Sequence, residues 1–229
     1  MIIGSGLIAN AFNESFIENT KICIFASGVS SSLCEDENEF EREKVLLETK
    51  ISEFKLSETF VYFSTCSIDN PLENQKKYIK HKLLMESLVR NHPSYLIFRL
   101  PQIAGIGGNP NNLLNYFANS IKEKRKFYIW MHSYRNIIDI VDVVEIVRHF
   151  ILKSSKRCRV VNIANPQSYK VIDIVRVIEM VLGQRGNFEL IEKGEDFSID
   201  ISDMMTILDS LKINFDDNYL ESMIRKYID

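Results

Sequence analysis

Val61-Tyr62-Phe63-Ser64-Thr65-Cys66-Ser67 and, after a short polar interval, Tyr78-Ile79-Lys80-His81-Lys82 decide how this chain is read. The first stretch is an aromatic and apolar run that ends in hydroxyls, the pattern of a buried strand emerging from a sheet. The second is helical in pattern, and its four-residue spacing sets Tyr78 and Lys82 on one face. Lys80 lies two positions on and faces away. Upstream, Gly4-Ser5-Gly6-Leu7-Ile8-Ala9 follows a short apolar segment and opens a helical pattern.

Residues 1–3, 21–26, 59–64 and 95–100 read as strands. Residues 7–16, a segment ending near 54, and 73–90 read as helices. Such alternation predicts a parallel α/β sheet. The acidic stretch 35–43 leads into the second helix and reads as a solvated face. Past Pro101 the texture changes. Gly105, Gly107, Gly108, Asn109 and Pro110 predict a loop. A helix over 111–124, short strands at 127–130 and 136–140, and a helix over 141–152 follow. A strand at 159–163, a helix over 171–182 and two short helices over 202–227 complete the chain.

With 229 residues, 45% of them hydrophobic, the chain can bury one sizeable core with a small lobe. A formal net charge of -3 gives no basic surface for a nucleic acid. No apolar run is long enough to cross a membrane. Gly4 and Gly6 interrupt the apolar start, so a signal peptide is not expected. Cys23, Cys34, Cys66 and Cys158 show no paired spacing, and the histidines are scattered. Neither a metal site nor a disulfide framework is expected, and a reducing cytoplasm is the expected compartment.

Gly4-x-Gly6-x-x-Ala9 has the context of a dinucleotide-binding turn. Gly4 permits the tight turn, Gly6 lets backbone approach a pyrophosphate, and Ala9 allows close helix–strand packing. The helix start offers N–H groups to phosphates. A strand–helix turn without a ligand has the same pattern. A free tyrosine, with a pKa near 10, is a poor acid–base group at neutral pH. A neighbouring ammonium stabilises the phenolate, so Lys82 is expected to lower the pKa of Tyr78. Thr65 would hydrogen-bond a substrate oxygen while Tyr78 moves the proton. A surface helix carrying an unremarkable tyrosine is the alternative.

Taken together, these segments resemble the extended short-chain dehydrogenase/reductases, the family of nucleotide-sugar epimerases, dehydratases and reductases. The resemblance also includes Phe25-Ala26-Ser27-Gly28, Arg99-Leu100-Pro101, Arg135-Asn136-Ile137-Ile138-Asp139-Ile140-Val141-Asp142 and Val161-Asn162-Ile163. It implies a Rossmann-type core, residues 1–100 and 134–165, with a small C-terminal substrate lobe, residues 101–133 and 166–229. Thr65, Tyr78 and Lys82 would be catalytic. Gly4, Gly6, Leu7, Ile8, Ala26, Ser27, Tyr78 and Lys82 would hold NADP or NAD. Arg135, Cys66 and Asn112 would contact a nucleotide-diphosphate sugar. Asp142 reads as a helix cap. A homodimer paired through the helices around 45–51 and 83–89 is expected, although both helices could simply pack on the sheet.

The chain also departs from that family. Only one strand fits between the first helix and Thr59, where the family has three, so the sheet is shortened at the adenine-binding side. Ala26 and Ser27 stand where an acidic residue would bind the adenosine ribose. Ser27 and Ser30 to Ser32 could instead reach a ribose phosphate. Cys66 and Ser67 follow Thr65 where dehydratases carry carboxylates. Cys66 resembles the cysteine of GDP-fucose synthases, but no histidine lies between Arg99 and Ile121 to pair with it. The expected activity is therefore NAD(P)H-dependent reduction of a nucleotide-linked 4-keto-6-deoxy sugar. A nucleotide-sugar epimerase and a non-catalytic dinucleotide-sensing or scaffold protein stand as alternatives.

Overall fold

The structure is a computed structural model that describes the chain except residues 17–20, 56–57, 108–111, 154–155 and 229. Strand and helix alternate from the first residues to Leu100. The elements are β1 (Ile2–Ile3), α1 (Leu7–Phe16), β2 (Ile22–Phe25), α2 (Glu37–Glu53), β3 (Thr59–Thr65), α3 (Lys77–Val89) and β4 (Tyr95–Leu100). Then come β5 (Gln102–Ala104), α4 (Leu113–Lys122), β6 (Lys126–Trp130), β7 (Tyr134–Arg135), β8 (Ile137–Asp139) and α5 (Ile140–Leu152). The chain continues through β9 (Arg159–Asn162), β10 (Tyr169–Lys170), α6 (Val171–Leu182), β11 (Asn187–Ile191), α7 (Ser202–Leu211) and α8 (Tyr219–Ile228).

Five strands form one sheet in the order β1-β2-β3-β4-β9, every neighbouring pair parallel. Every residue of β3 is buried, because helices cover both faces. Val61 and Phe63 meet Phe12 of α1 and Val147 of α5 on one face. Phe60 and Tyr62 meet Leu47 of α2 and Met85 of α3 on the other.

One strand, β2, separates α1 from β3, as the length of that segment predicts. The strand order therefore runs across the sheet without reversing. The steps from β1 to β2 and from β2 to β3 go the same way, yet α1 and α2 cover opposite faces. These two crossovers have opposite hands, although parallel crossovers are right-handed in about 98% of cases. Open α/β sheets hold ligands where the strand order reverses. Among the described residues this sheet has no such point, and β1 is an edge strand.

A second core forms where α4, β6, α6 and α8 bury Phe117, Phe127, Ile174 and Ile224 together. In contrast, α7 packs on the sheet's own core through Met204 and Leu208. Three small pairings accompany the main sheet: β6 with β11 and β5 with β8 in parallel, and β7 with β10 antiparallel. No helix among the described residues is long and apolar enough to cross a membrane.

Several boundaries differ from the sequence reading. The third helix starts at Lys77, because Asn70 Oδ1 accepts from Leu72 N–H and two further turns carry the chain to Lys76. Asn112 caps α4 by accepting from Asn115 N–H at 2.9 Å, while Gly108, Asn109 and Pro110 of the expected loop lie outside the described residues. The cap of α5 is Asp139, which accepts from Val141 N–H at 2.9 Å. Asp142, expected as the cap, instead accepts from the Tyr219 hydroxyl at 2.6 Å. Strand β11 was not expected.

Candidate active site

The turn after β1 is built by backbone. Gly4 has φ +129°, and a Cβ there would stand 2.4 Å from the Ala26 carbonyl oxygen, so only glycine fits. Ala26 N–H donates to Ile3 O at 2.7 Å and locks the ends of β1 and β2 together. A Cβ on Gly6 would meet nothing within 4 Å. The first intrahelical bond runs from Asn10 N–H to Gly6 O, so the N–H groups of Leu7 and Ile8 have no helical acceptor. Ser27 accepts from Arg42 through its carbonyl at 3.3 Å and its hydroxyl at 3.4 Å. The expected set Gly4, Gly6, Leu7, Ile8, Ala26 and Ser27 is thus one contiguous surface.

Thr65 closes β3, and its hydroxyl accepts from Ser67 N–H at 3.1 Å, capping a short 3-10 turn over Cys66–Asp69. The Tyr78 phenol, from the first turn of α3, is near enough to the Thr65 side chain for that side chain to pull its pKa down. Both residues are buried. Lys80 is exposed, as its position on the helix predicts.

Lys82 is not free, because a residue that the sequence reading placed in solvent meets it. Glu43 of α2 is 0% exposed, whereas its neighbours Glu39 and Glu41 are solvated. Glu43 Oε1 accepts from the Tyr62 hydroxyl at 2.6 Å and from Lys82 Nζ at 3.0 Å. Its Oε2 accepts from Val29 N–H at 2.7 Å, pairs with His81 Nε2 at 2.9 Å and lies 3.3 Å from Lys82 Nζ. Lys82 Nζ also donates to the Tyr62 oxygen at 3.1 Å. A Cβ on Gly28 would lie 2.6 Å from Lys82 Nζ and 2.9 Å from Glu43 Oε1. A side chain at position 28 would therefore push the Lys82 and Glu43 tips out of their present positions.

The charges follow from this packing. Burial alone would raise the Glu43 carboxyl. The Lys82 charge and the hydrogen bonds from His81, Tyr62 and Val29 overcome it and hold the group at about 2. Burial and the Glu43 charge push the Tyr78 phenol up, against a smaller opposing pull from Thr65. This reverses the expectation drawn from the Tyr78/Lys82 spacing. The ammonium stands 5.8 Å from the Tyr78 ring centroid, but Glu43 compensates its charge. One signal for Glu43 was present in the sequence. Phe40, Glu43 and Leu47 lie on one stripe of α2, and all three are buried.

Arg135 ends β7, half-buried, and donates to Tyr134 O at 2.7 Å. Among the described residues it makes no ion pair. Burial pulls its pKa down, opposed by the charge of Glu73, which also acts on Tyr78. Cys66 is buried with its thiol donating to Arg99 O at 3.2 Å, and burial raises its pKa. Asn112 caps α4, and no contact joins it to Tyr78 or Arg135.

The model of the NAD dependent epimerase/dehydratase family matches residues 35–164. This chain belongs to that family. The match includes Glu43, Thr65, Tyr78, Lys82 and Arg135, and opens after the glycine turn. Among solved structures, UDP-glucuronic acid 4-epimerase from Bacillus cereus, in complex with UDP-glucuronic acid and NAD, superposes with a TM-score of 0.72 at 18% identity. That likeness covers 98% of this chain and 78% of the epimerase. The dTDP-glucose 4,6-dehydratase of Bacillus anthracis, in complex with NAD, gives 0.70 at 15% identity over 98% of this chain and 77% of that one. RMD from Pseudomonas aeruginosa, complexed with NADPH, gives 0.64 at 13% identity over 90% and 82%. No curated sequence matches the chain.

The family name implies a nicotinamide dinucleotide, and the residues fit it unevenly. The open Gly6 position and the α1 N-terminus suit its diphosphate. Lys82, which the resemblance assigns to the cofactor, has an ammonium with three N–H donors. Its three acceptors within 3.3 Å are the two Glu43 oxygens and the Tyr62 oxygen.

Proposed function

We propose that this protein is an oxidoreductase that reduces a nucleotide-linked keto sugar, a 4-keto-6-deoxyhexose, with NADH or NADPH. When bound, the reduced nicotinamide supplies a hydride to the keto carbon. The protein's own part is to hold the sugar oxygen at Thr65 and Tyr78 and to deliver a proton from the Tyr78 phenol. Gly4, Gly6, Leu7 and Ile8 would bind the dinucleotide diphosphate. Residues 101–133 and 166–229 would supply the substrate side. Reduction is preferred to epimerisation because, among the described residues, the sheet ends at β1. An epimerase reuses one tightly held cofactor, whereas a shortened adenosine site suits a cofactor that leaves after each turnover.

The observation that carries the substrate class is Arg135. A half-buried guanidinium without an ion pair among the described residues suits a diphosphate, which it can grip through two charge-assisted hydrogen bonds. Calorimetry with a nucleoside diphosphate tests this. Arg135→Ala should weaken binding by about 1.5–3 kcal/mol, the range for hydrogen bonds to charged groups. Arg135→Lys should recover only part, lacking the planar fork. Unchanged affinity in Arg135→Ala would remove the nucleotide-sugar assignment. The same proposal includes a homodimer through α2 and α3, whose outer faces expose Val45, Leu83 and Leu84. A monomeric mass by light scattering would refute it.

A second reading, favoured by the Glu43–Lys82 pairing, is a protein that binds the nucleotide sugar without turning it over.

A further inference from the structure

The buried cluster around Glu43 bears on which way a proton can move at Tyr78. The Lys82 ammonium of its own helix stands 5.8 Å from the Tyr78 ring centroid, and the charge of Glu43 of α2 and the Thr65 side chain of β3 act on the phenol. The charge of Glu73, in the turn before α3, also acts on it, and Cys34 of the loop before α2 packs against the same cluster as Val29 and Phe40. Lys82 is the buried cation of this set; Lys76 pairs with Glu73 at 2.9 Å, and the charge of Glu73 also acts on Arg135. The partner oxygen of Lys82, Glu43 Oε1, is 3.0 Å away and shares its burial.

We propose that Glu43 is a positioning residue: as the buried counter-ion of Lys82, it keeps the resting Tyr78 phenol protonated, ready to donate to a carbonyl oxygen. This role rests on the reductase reading, because reduction of a carbonyl needs the donor. The Tyr78 O–H bond breaks, the substrate oxygen takes the proton, and the carbon takes hydride from the reduced nicotinamide, which is oxidised. The phenolate left behind regains a proton from solvent. Reactions that begin by oxidising an alcohol need the opposite, a phenolate present before the substrate hydroxyl loses its proton. An uncompensated ammonium beside the ring would stabilise that phenolate. Here α2 supplies the compensating charge from within the fold, and the glycine at 28 leaves room for it.

The test is a pH titration of tyrosinate absorbance, which needs neither ligand nor turnover. Wild type minus Tyr78→Phe gives the Tyr78 titration. Glu43→Gln minus Glu43→Gln/Tyr78→Phe gives it without the counter-ion. The expected result is ionisation of Tyr78 about one to three pH units lower in the Glu43→Gln background, the usual effect of a nearby opposite charge. The alkaline limb of the reductase pH profile should move down with it. Because Glu43→Gln strands an ammonium, Glu43→Gln/Lys82→Met provides a variant with neither charge. It should titrate Tyr78 close to wild type, since the two charges cancel there. Identical titration in wild type and Glu43→Gln, or a displaced titration in the doubly neutral variant, would overturn the proposal. Failure of the diphosphate reading would appear separately, as unchanged binding of uridine diphosphate in Arg135→Ala.

Discussion

The glycine turn after β1 and the cluster at the end of β3 both follow the carboxyl ends of parallel strands, yet they are built in opposite ways. The turn is made of backbone, lies open, and needs only β1, α1 and the end of β2 around it. The cluster is made of side chains from α2, β3 and α3, with Glu43, Tyr62 and Lys82 covered and Tyr78 and Thr65 at its edge. The turn can therefore persist although, among the described residues, the sheet ends at β1. The cluster gives the site its chemical character, and a single misplaced charge would change it.

Perturbing the cluster should have the largest effects. Tyr78→Phe removes the proposed proton donor and should lower turnover by about 10²–10⁴-fold with an unchanged circular dichroism spectrum. Near-normal turnover on the true substrate would make the phenol a bystander. Glu43→Ala strands the Lys82 ammonium and should destabilise the fold by about 3–5 kcal/mol in urea unfolding. Glu43→Gln/Lys82→Met should cost clearly less, because no charge is left unpaired. A small loss in Glu43→Ala would mean that water reaches Lys82.

The cluster should also be acid-sensitive. The Glu43 carboxyl sits at about 2 in the folded protein against 4.5 ordinarily. A depressed carboxyl contributes stability that is fully present above its unfolded pKa and is lost as the pH falls through the folded one. The window therefore runs from pH 4.5 down to about 2. On the order of 3 kcal/mol should disappear across it. Unfolding measured through that window should show a smaller loss in Glu43→Gln/Lys82→Met than in wild type. Smallest of the set, Gly28→Ala places a methyl 2.6 Å from Lys82 Nζ. It should cost about 1–3 kcal/mol through overpacking. Gly6→Ala, in open space, should change stability far less, and equal losses at the two glycines would erase the contrast between the two regions.

How much of this was legible in the sequence follows the same contrast. Gly4 could be read because it answers a local backbone demand, and Gly6 because it leaves the turn open. The strands up to Leu100 could be read because burial on both faces makes them continuously apolar. Strand β11 was hidden, since Asn187 and Glu189 face solvent and its partner β6 lies far away in sequence. Asp139 and Asp142 both stand near the start of α5, and only the contact from Tyr219 of α8 separates cap from partner. Thr65 and Tyr78 could be singled out from the end of a strand and the spacing along a helix, and both are buried. The destination of Lys82 was missed because spacing within α3 places its Cβ but not the counter-ion that draws its tip. Glu43 lay among exposed acids, and only its three- and four-residue steps to Phe40 and Leu47 set it apart.

The most direct measurement tracks hydride and proton together. The protein would be incubated with a nucleotide-linked 4-keto-6-deoxyhexose and NADPH or NADH carrying deuterium at the transferable position, and the product examined by mass spectrometry. Transfer of one deuterium to the sugar, at a rate that falls about 10²-fold or more in Tyr78→Phe, is the predicted result. Absence of transfer from either cofactor with the wild-type protein, or transfer that is indifferent to Tyr78, would contradict it.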